Sequence, residues 1–185
     1  MRPMALNKDT PKMQSARPLP RSNQPLYAPA ERIRRDQTVW TLVQGVLAPV
    51  QFLVFLASLC LVLRYLATGE GLMWASYSIV VKTLTLYAIM VTGCIWEKVV
   101  FGRYLFAPAF FWEDVFSMLV LALHTAYLVA LFTDALGPVP LMYLALAAYA
   151  AYLVNAGQFL LKLRAARLDE ASHGAASAAH AEVGA

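Results

Sequence analysis

The hydrophobic residues of the chain lie in four long runs, separated by short polar or turn-forming segments. The runs cover about residues 39–67, 78–95, 112–132 and 140–161, and each is long enough to supply the roughly 20 mostly apolar residues of a transmembrane helix. This pattern predicts an all-α fold, namely a polytopic membrane protein built as a bundle of four transmembrane helices.

Polar segments flank this predicted membrane domain, which covers residues 29–168. Residues 1–28 contain five prolines among scattered polar and basic residues, and residues 169–185 are rich in alanine, serine, histidine and glycine. Neither segment has a periodic apolar face, so we expect disordered N- and C-terminal tails. Just before the first run, Pro29 and Glu31 are typical of the start of a short helix.

Composition supports a membrane protein and sets its orientation. Hydrophobic residues make up 60% of the chain and charged residues only 14%, which is too apolar for a soluble domain. The net charge of +4 arises from basic residues that flank the runs. This distribution indicates membrane topology, so we expect a lipid bilayer and no nucleic acid as partner. The positive-inside rule places both termini and the loop after the second run in the cytoplasm.

Polar side chains recur at helical spacing on one face of the first run and one face of the fourth. They are Gln44, Gln51 and Ser58 in the first run, and Tyr152, Asn155 and Gln158 in the fourth. Such faces point into the bundle, where they serve either a ligand or ordinary hydrogen bonding between helices. Lys82, the only early charge of the second run, is expected to extend its side chain to the nearer interface.

Three carboxylates are predicted to meet at the cytoplasmic face. Glu97 follows the second run, while Glu113 and Asp114 begin the third run. Neighbouring carboxyl groups in apolar surroundings favour their protonated forms, which suits general acid–base catalysis. The alternative is that all three are interfacial carboxylates paired with Lys98 and Arg103.

The third run also carries an ionisable residue at depth. His124 shares a narrow arc of the helix with Glu113 but lies roughly 16 Å from it along the axis. An ionisable group inside a spanning helix indicates function by default; the alternative is a neutral histidine bonded to a neighbouring helix. The aromatic residues between the runs form either an interfacial belt or a stacking surface for a flat conjugated ligand.

The residues indicate no cofactor and no metal site. Cys60 and Cys94 stand singly in apolar runs, and the chain has no glycine-rich phosphate loop and no HExxH or GxSxG motif. The residues alone therefore predict a cofactor-free acid–base site or a ligand pocket in a four-helix bundle.

Four long strings of the sequence carry a resemblance to a known family, which spans about residues 26–168. The strings are VWTLVQGVLAPVQFLVFLASL at 39–59, SIVVKTLTLY at 78–87, IWEKVVFGRYLFAPAFFWEDVFSMLVLALHTAYL at 95–128 and NAGQFLLKLRAARL at 155–168. With these strings the chain resembles the vinyl bacteriochlorophyllide hydratase family of bacteriochlorophyll biosynthesis.

The resemblance implies a lyase of the hydro-lyase type. Its members add water to the 3-vinyl group of chlorophyllide a, or of a related bacteriochlorophyllide, and give the 3-(1-hydroxyethyl) product. It further implies a bacterial inner or intracytoplasmic photosynthetic membrane, other enzymes of the pathway as partners, and no cofactor beyond the magnesium of the substrate.

Roles in such a reaction are assigned here as hypotheses. Glu113 or Glu97 is the proton donor, and its partner or Asp114 orients water. His124 orients water or binds the substrate magnesium. The substrate-binding residues are expected to be Lys98 and Arg103 at the propionate, Trp96, Tyr104 and Trp112 beside the ring, and Gln51 and Asn155 in the interior.

Two other classes of protein fit part of the pattern. A non-catalytic pigment-binding or assembly subunit would use the same aromatic residues and intramembrane histidine. A small transporter fits less well, because the sequence has neither a convincing inverted repeat nor a charged residue in every run.

Overall fold

A computed structural model of the chain describes residues 26–183, with side chains described up to Leu168. The described part contains five helices and no strands: α1 (Pro29–Gln37), α2 (Val39–Thr68), α3 (Leu72–Phe101), α4 (Phe111–Phe132) and α5 (Pro138–Val183). Four of them are long and apolar enough to cross a membrane. The all-α, four-span prediction is confirmed, whereas residues 1–25 of the predicted N-terminal tail lie outside the described residues.

Helix α3 is longer at both ends than the predicted run at residues 78–95. The ends of a helix are set by the backbone conformation and not by hydrophobicity. Here Gly71 and Gly102 flank α3, with φ angles of 84° and 79°. Glycine adopts this left-handed conformation without steric cost, which ends a helix cleanly. Polar residues such as Glu97 therefore belong to the helix itself and not to a loop.

Helix α5 passes the predicted boundary at residue 168 and continues to Val183. The residues beyond that boundary are rich in alanine, which has the highest intrinsic helix propensity. The predicted disordered tail begins at this boundary, because the segment lacks an apolar face. Helix propensity acts on single residues, so a segment without such a face can still continue a helix.

The transmembrane helices are arranged as two hairpins. The most extensive contacts are between α2 and α3 and between α4 and α5. Residues 102–110 join the hairpins at one end of the bundle, called here the long-loop end. Helix α1 lies at this end, where Arg34 Nε donates to Val100 O at 2.8 Å. Lys162 of α5 also lies there, 2.7 Å from Glu113 of α4.

Buried side chains form two clusters, and apolar side chains also cover the outside. The main core fills the middle of the bundle and includes Phe55, Ile79, Val120 and Tyr149. A smaller aromatic cluster lies at the long-loop end; it contains Tyr27, Val100 and Phe110, with Trp96, Phe101 and Phe159 packed against them. Large apolar residues also face outward along all four long helices, as a lipid environment requires.

Candidate functional site

Glu97 and Asp114 form a buried carboxyl pair at the long-loop end. The two residues are only 6% and 3% exposed, and the backbone N–H groups of two successive loop residues donate to them, so their carboxyl groups lie close together. Ionised carboxylates only accept hydrogen bonds, whereas a protonated carboxyl group also donates one. A pair that holds one proton can therefore supply a proton donor and a proton acceptor at one place.

The loop between the hairpins fixes the orientation of this pair. The backbone N–H of Phe106 donates to Asp114 Oδ2 at 2.7 Å, and that of Ala107 donates to Glu97 Oε2 at 3.4 Å. Phe106 adopts a left-handed conformation with φ of 58°. This is strained for a bulky residue and persists only where the surroundings impose it. The strain is located at the residue that holds Asp114.

Glu113, the third predicted carboxylate, faces a different partner. Its Oε2 is 2.7 Å from Lys162 Nζ on α5, and Lys162 Nζ also lies 4.9 Å from the ring centroid of Phe110. The sequence left open a pairing of the acids with Lys98 and Arg103. In the structure Glu113 pairs with Lys162 instead, and Lys98 donates to Gly102 O at 3.0 Å. Glu113 is thus adjacent to the carboxyl pair in sequence but is engaged in a bond between α4 and α5.

The three aromatic residues predicted to flank a ligand do not converge. Trp96 belongs to the buried aromatic cluster, and its Nε1–H donates to Thr41 Oγ1 at 2.9 Å. Tyr104 and Trp112 are 60% and 67% exposed on the outside of the long-loop end. Trp96 therefore holds helices together, while Tyr104 and Trp112 face the surroundings of the protein.

A second ionisable pair lies deep in the bundle. Lys82 Nζ is 2.8 Å from His124 Nε2, and His124 Nδ1 is 2.8 Å from Val120 O. A carbonyl oxygen only accepts, so Nδ1 carries the hydrogen and Nε2 accepts from the lysine, which makes the imidazole neutral. With both nitrogens engaged, His124 would have to release Lys82 before it could bind a magnesium ion.

The prediction that Lys82 reaches the interface is wrong. Lys82 is 0% exposed, and it lies about 15 Å along the axis from the start of α3 at Leu72, farther than its side chain extends. Its helical spacing from Ile79 and Leu86, both buried, places it on the inward face. That spacing is the sequence signal that could have identified it.

Aromatic and hydroxyl groups surround the Lys82–His124 pair. Lys82 Nζ lies 4.2 Å from the ring centroid of Tyr152 and 5.7 Å from that of Tyr149. The Tyr149 hydroxyl is 2.5 Å from Ser58 Oγ on α2. Within the described part of the chain no acidic side chain forms an ion pair with Lys82, so its interactions are with an imidazole and two aromatic faces.

The two amides predicted to face the interior do so, at a level between the two ionisable pairs. Gln51 is 2% exposed, and Asn155 Nδ2 donates to Ser117 Oγ at 2.9 Å. The predicted residues therefore separate into three groups: the carboxyl pair with its loop, the interior polar residues, and the outer residues Lys98, Arg103, Tyr104 and Trp112. Lys82 and Lys162 were not predicted as partners of these groups.

Comparison with known proteins identifies the family. The family model described as 2-vinyl bacteriochlorophyllide hydratase matches residues 27–165. A 2-vinyl bacteriochlorophyllide hydratase of Rhodobacter capsulatus is 66% identical over 154 residues, which are 83% of this chain and 90% of that protein. Another, of Cereibacter sphaeroides, is 69% identical over 144 residues, 78% of this chain and 89% of that protein. No solved structure shows a significant match. The match includes both ionisable pairs and the loop between the hairpins, and the chain belongs to the 2-vinyl bacteriochlorophyllide hydratase family.

Proposed function

We propose that the chain is a hydro-lyase that adds water to the vinyl group of a chlorophyllide or bacteriochlorophyllide and gives the 1-hydroxyethyl product. Its relatives carry the name of this activity. The observation that supports the proposal is that Glu97 and Asp114 are buried beside the same loop, because hydration requires a proton donor and a proton acceptor close together.

The reaction proceeds through two proton transfers. A proton adds to the terminal carbon of the vinyl group and leaves a positive charge on the carbon attached to the macrocycle, which delocalises it. The oxygen of a water molecule bonds to that carbon, and the water then loses a proton. No electrons are exchanged, so the proposal includes no redox cofactor, and the only magnesium is that of the pigment.

Within the carboxyl pair, the protonated member is the donor and the other member accepts the proton of water. The negative charge of the pair also stabilises the cation that forms between the two transfers. Glu113, offered from the sequence as an alternative donor, is assigned a structural role because its carboxylate already binds Lys162.

The pigment is proposed to approach from the lipid at the long-loop end. Tyr104 and Trp112 are exposed there and offer aromatic surface to the macrocycle. Lys98, near the end of α3, and Arg103, in the loop that follows, lie at the same end of the bundle. They are proposed to bind the propionate carboxylate. Trp96 contributes indirectly, by packing behind the loop that holds the carboxyl pair.

The proposed location is the inner or intracytoplasmic membrane of a photosynthetic bacterium, with both termini and the long-loop end in the cytoplasm. Basic residues concentrate at that end, whereas Glu70 and Asp134 lie in the two opposite loops. The lipid bilayer and the pigment are its partners, together with the enzymes that exchange pigments with it.

The Glu97→Gln variant tests the proposal. The amide that replaces the carboxyl group keeps the shape of the side chain but cannot donate or accept the reacting proton, so turnover should fall by roughly 10²-fold to 10⁴-fold. The measurement incubates membranes with 3-vinyl chlorophyllide and follows the hydroxyethyl product by chromatography and by the absorption shift that accompanies loss of the conjugated vinyl group.

Glu70→Gln, which alters an exposed acid at the opposite end, is the matched control and should leave turnover unchanged. Wild-type turnover by the Glu97→Gln variant would remove the carboxyl pair from the chemistry. Pigment binding by the wild-type protein without any absorption shift would instead identify a non-catalytic pigment-binding protein.

A further inference from the structure

Polar side chains occupy three successive levels in the interior of the bundle. The carboxyl pair Glu97–Asp114 lies at the long-loop end, and Lys82–His124 lies about 15 Å deeper, as the ten residues from Asp114 to His124 on α4 indicate. Ser117 and Asn155 bond to each other at an intermediate level. The interior between the two ionisable pairs is therefore not purely apolar.

The contacts between α2 and α5 place Gln51 at this intermediate level. The rings of Phe55 and Tyr152 are 5.0 Å apart, and Ser58 Oγ lies 2.5 Å from the hydroxyl of Tyr149, so the two helices run antiparallel in a fixed register. Gln51 lies one helical turn from Phe55 toward the long-loop end. The register therefore places Gln51 level with residue 156 of α5.

The bond between Ser117 and Asn155 fixes the position of Gln158 in the same way. Because α4 and α5 are antiparallel, one turn from this bond toward the long-loop end places Gln158 level with Asp114. The side chains of Gln51, Asn155 and Gln158 thus form a series that ends at the level of the carboxyl pair.

Four amide atoms of this series lack partners within the described residues. They are Gln51 Nε2, Gln51 Oε1, Asn155 Oδ1 and Gln158 Oε1, and all are buried. Burying a polar atom without a hydrogen bond costs free energy, and proteins generally satisfy such atoms with bound water. Apolar side chains at these positions would avoid the cost, so the amides point to a ligand.

The chemistry of the four atoms identifies the kind of ligand. Three of them are acceptor oxygens and need a donor, whereas carbonyl and carboxylate groups on a pigment are themselves acceptors. Water supplies two O–H donors and accepts from Gln51 Nε2. Water also needs two to four polar partners, as this set offers.

We propose that Gln51, Asn155 and Gln158 bind water inside the bundle and that this water reaches the Glu97–Asp114 pair as the reactant. The binding of water stands on the unpartnered amides, and its use as a reactant rests on the proposed hydratase function. Gln51 is then a positioning residue for the nucleophile.

X-ray radiolytic footprinting of the purified chain in lipid nanodiscs tests the site. Hydroxyl radicals formed from a bound water label adjacent side chains, and the buried rings of Phe55 and Tyr152 lie one turn from Gln51. Labelling of both rings is expected in the wild type and should be lost in Gln51→Met, which keeps the length of the side chain but removes the amide. Gln51→Leu repeats the test with a branched side chain.

Thr83→Val is the matched control, because it removes a buried hydroxyl that already donates to Ile79 O at 2.8 Å, and it should leave the labelling unchanged. Unlabelled rings in the wild type, or equal labelling in Gln51→Met, would overturn the inference. In the turnover assay, kcat of Gln51→Met should fall by about 10²-fold, since a misplaced reactant has an effect of that order.

The two readouts separate the inference from the function it uses. Labelling that depends on Gln51, in a wild-type protein that turns over no pigment, would retain the water site and reject the hydratase function. Normal turnover with labelling that does not depend on Gln51 would reject the water site and retain the hydratase.

Discussion

The position of one hydrogen defines the Lys82–His124 pair. Since His124 Nδ1–H is directed to Val120 O, the other nitrogen accepts from Lys82, so any charge of the pair is on the lysine. Charges inside a membrane are costly and usually functional. Removing the histidine therefore leaves an unpartnered amino group in the interior, whereas removing the lysine leaves an unpartnered ring nitrogen.

Removing the histidine is expected to be worse than removing the lysine. His124→Leu leaves the buried amino group of Lys82 without its hydrogen-bond acceptor, which for a protonated amine costs about 3–5 kcal/mol. Lys82→Met leaves a neutral ring nitrogen without a donor, at a cost of about 1–3 kcal/mol. The free energy of unfolding, measured by detergent titration, should rank the variants in this order.

The double variant Lys82→Met/His124→Leu provides the control, because it removes both members and should be more stable than His124→Leu alone. A larger loss for Lys82→Met than for His124→Leu would show that the lysine is neutral in the folded protein.

The sequence predicted single residues better than it predicted their partners. His124 in the interior and the acids at one face follow from helical spacing and span length alone. The choice of Lys82 for His124, and of Lys162 for Glu113, depends on how each helix is rotated about its axis against its neighbour. That rotation is set by packing of whole faces, which the polar residues do not reveal.

At the scale of helices, Glu113 and Lys162 join α4 and α5 at the long-loop end. The carboxylate side chain is 9% exposed and the lysine side chain 26%, so the pair is largely shielded from water. This bond gives Glu113 a structural reason to be buried.

Exchanging the two charges tests that explanation. Glu113→Lys should place two cations together and lower both the stability and the amount of folded protein. Glu113→Lys/Lys162→Glu restores the opposite charges and should recover folding and hydration together. Thermal unfolding and product formation measure the two properties. Recovery of folding without recovery of turnover would return Glu113 to the catalytic residues.

The existence of the four long helices was predictable, but their ends were not. Apolar length predicts where a chain crosses a membrane, whereas α3 ends where Gly71 and Gly102 adopt positive φ. Glycine alone does not reveal such a conformation in the sequence, since Gly45 and Gly93 lie within helices. The end of α3 also affects the candidate functional site, because Glu97 lies in the part of α3 that extends beyond the predicted run.

For the whole molecule, topology gives a test that does not depend on chemistry. In a background with Cys60 and Cys94 replaced by alanine, Arg103→Cys and Glu70→Cys place a thiol at opposite ends of the bundle. A membrane-impermeant maleimide should label position 70 in intact spheroplasts and position 103 only in inverted vesicles. The opposite labelling would show that the long-loop end faces outward.

The hairpin arrangement links assembly of the molecule to its reactivity. Lys82 and Glu97 belong to the first hairpin, whereas Asp114 and His124 belong to the second. While the hairpins are apart in lipid, these four ionisable residues lack their partners, and only the Glu113–Lys162 bond lies within a single hairpin. Docking of the hairpins brings both pairs together. A chain whose hairpins are apart therefore lacks the proposed donor–acceptor pair.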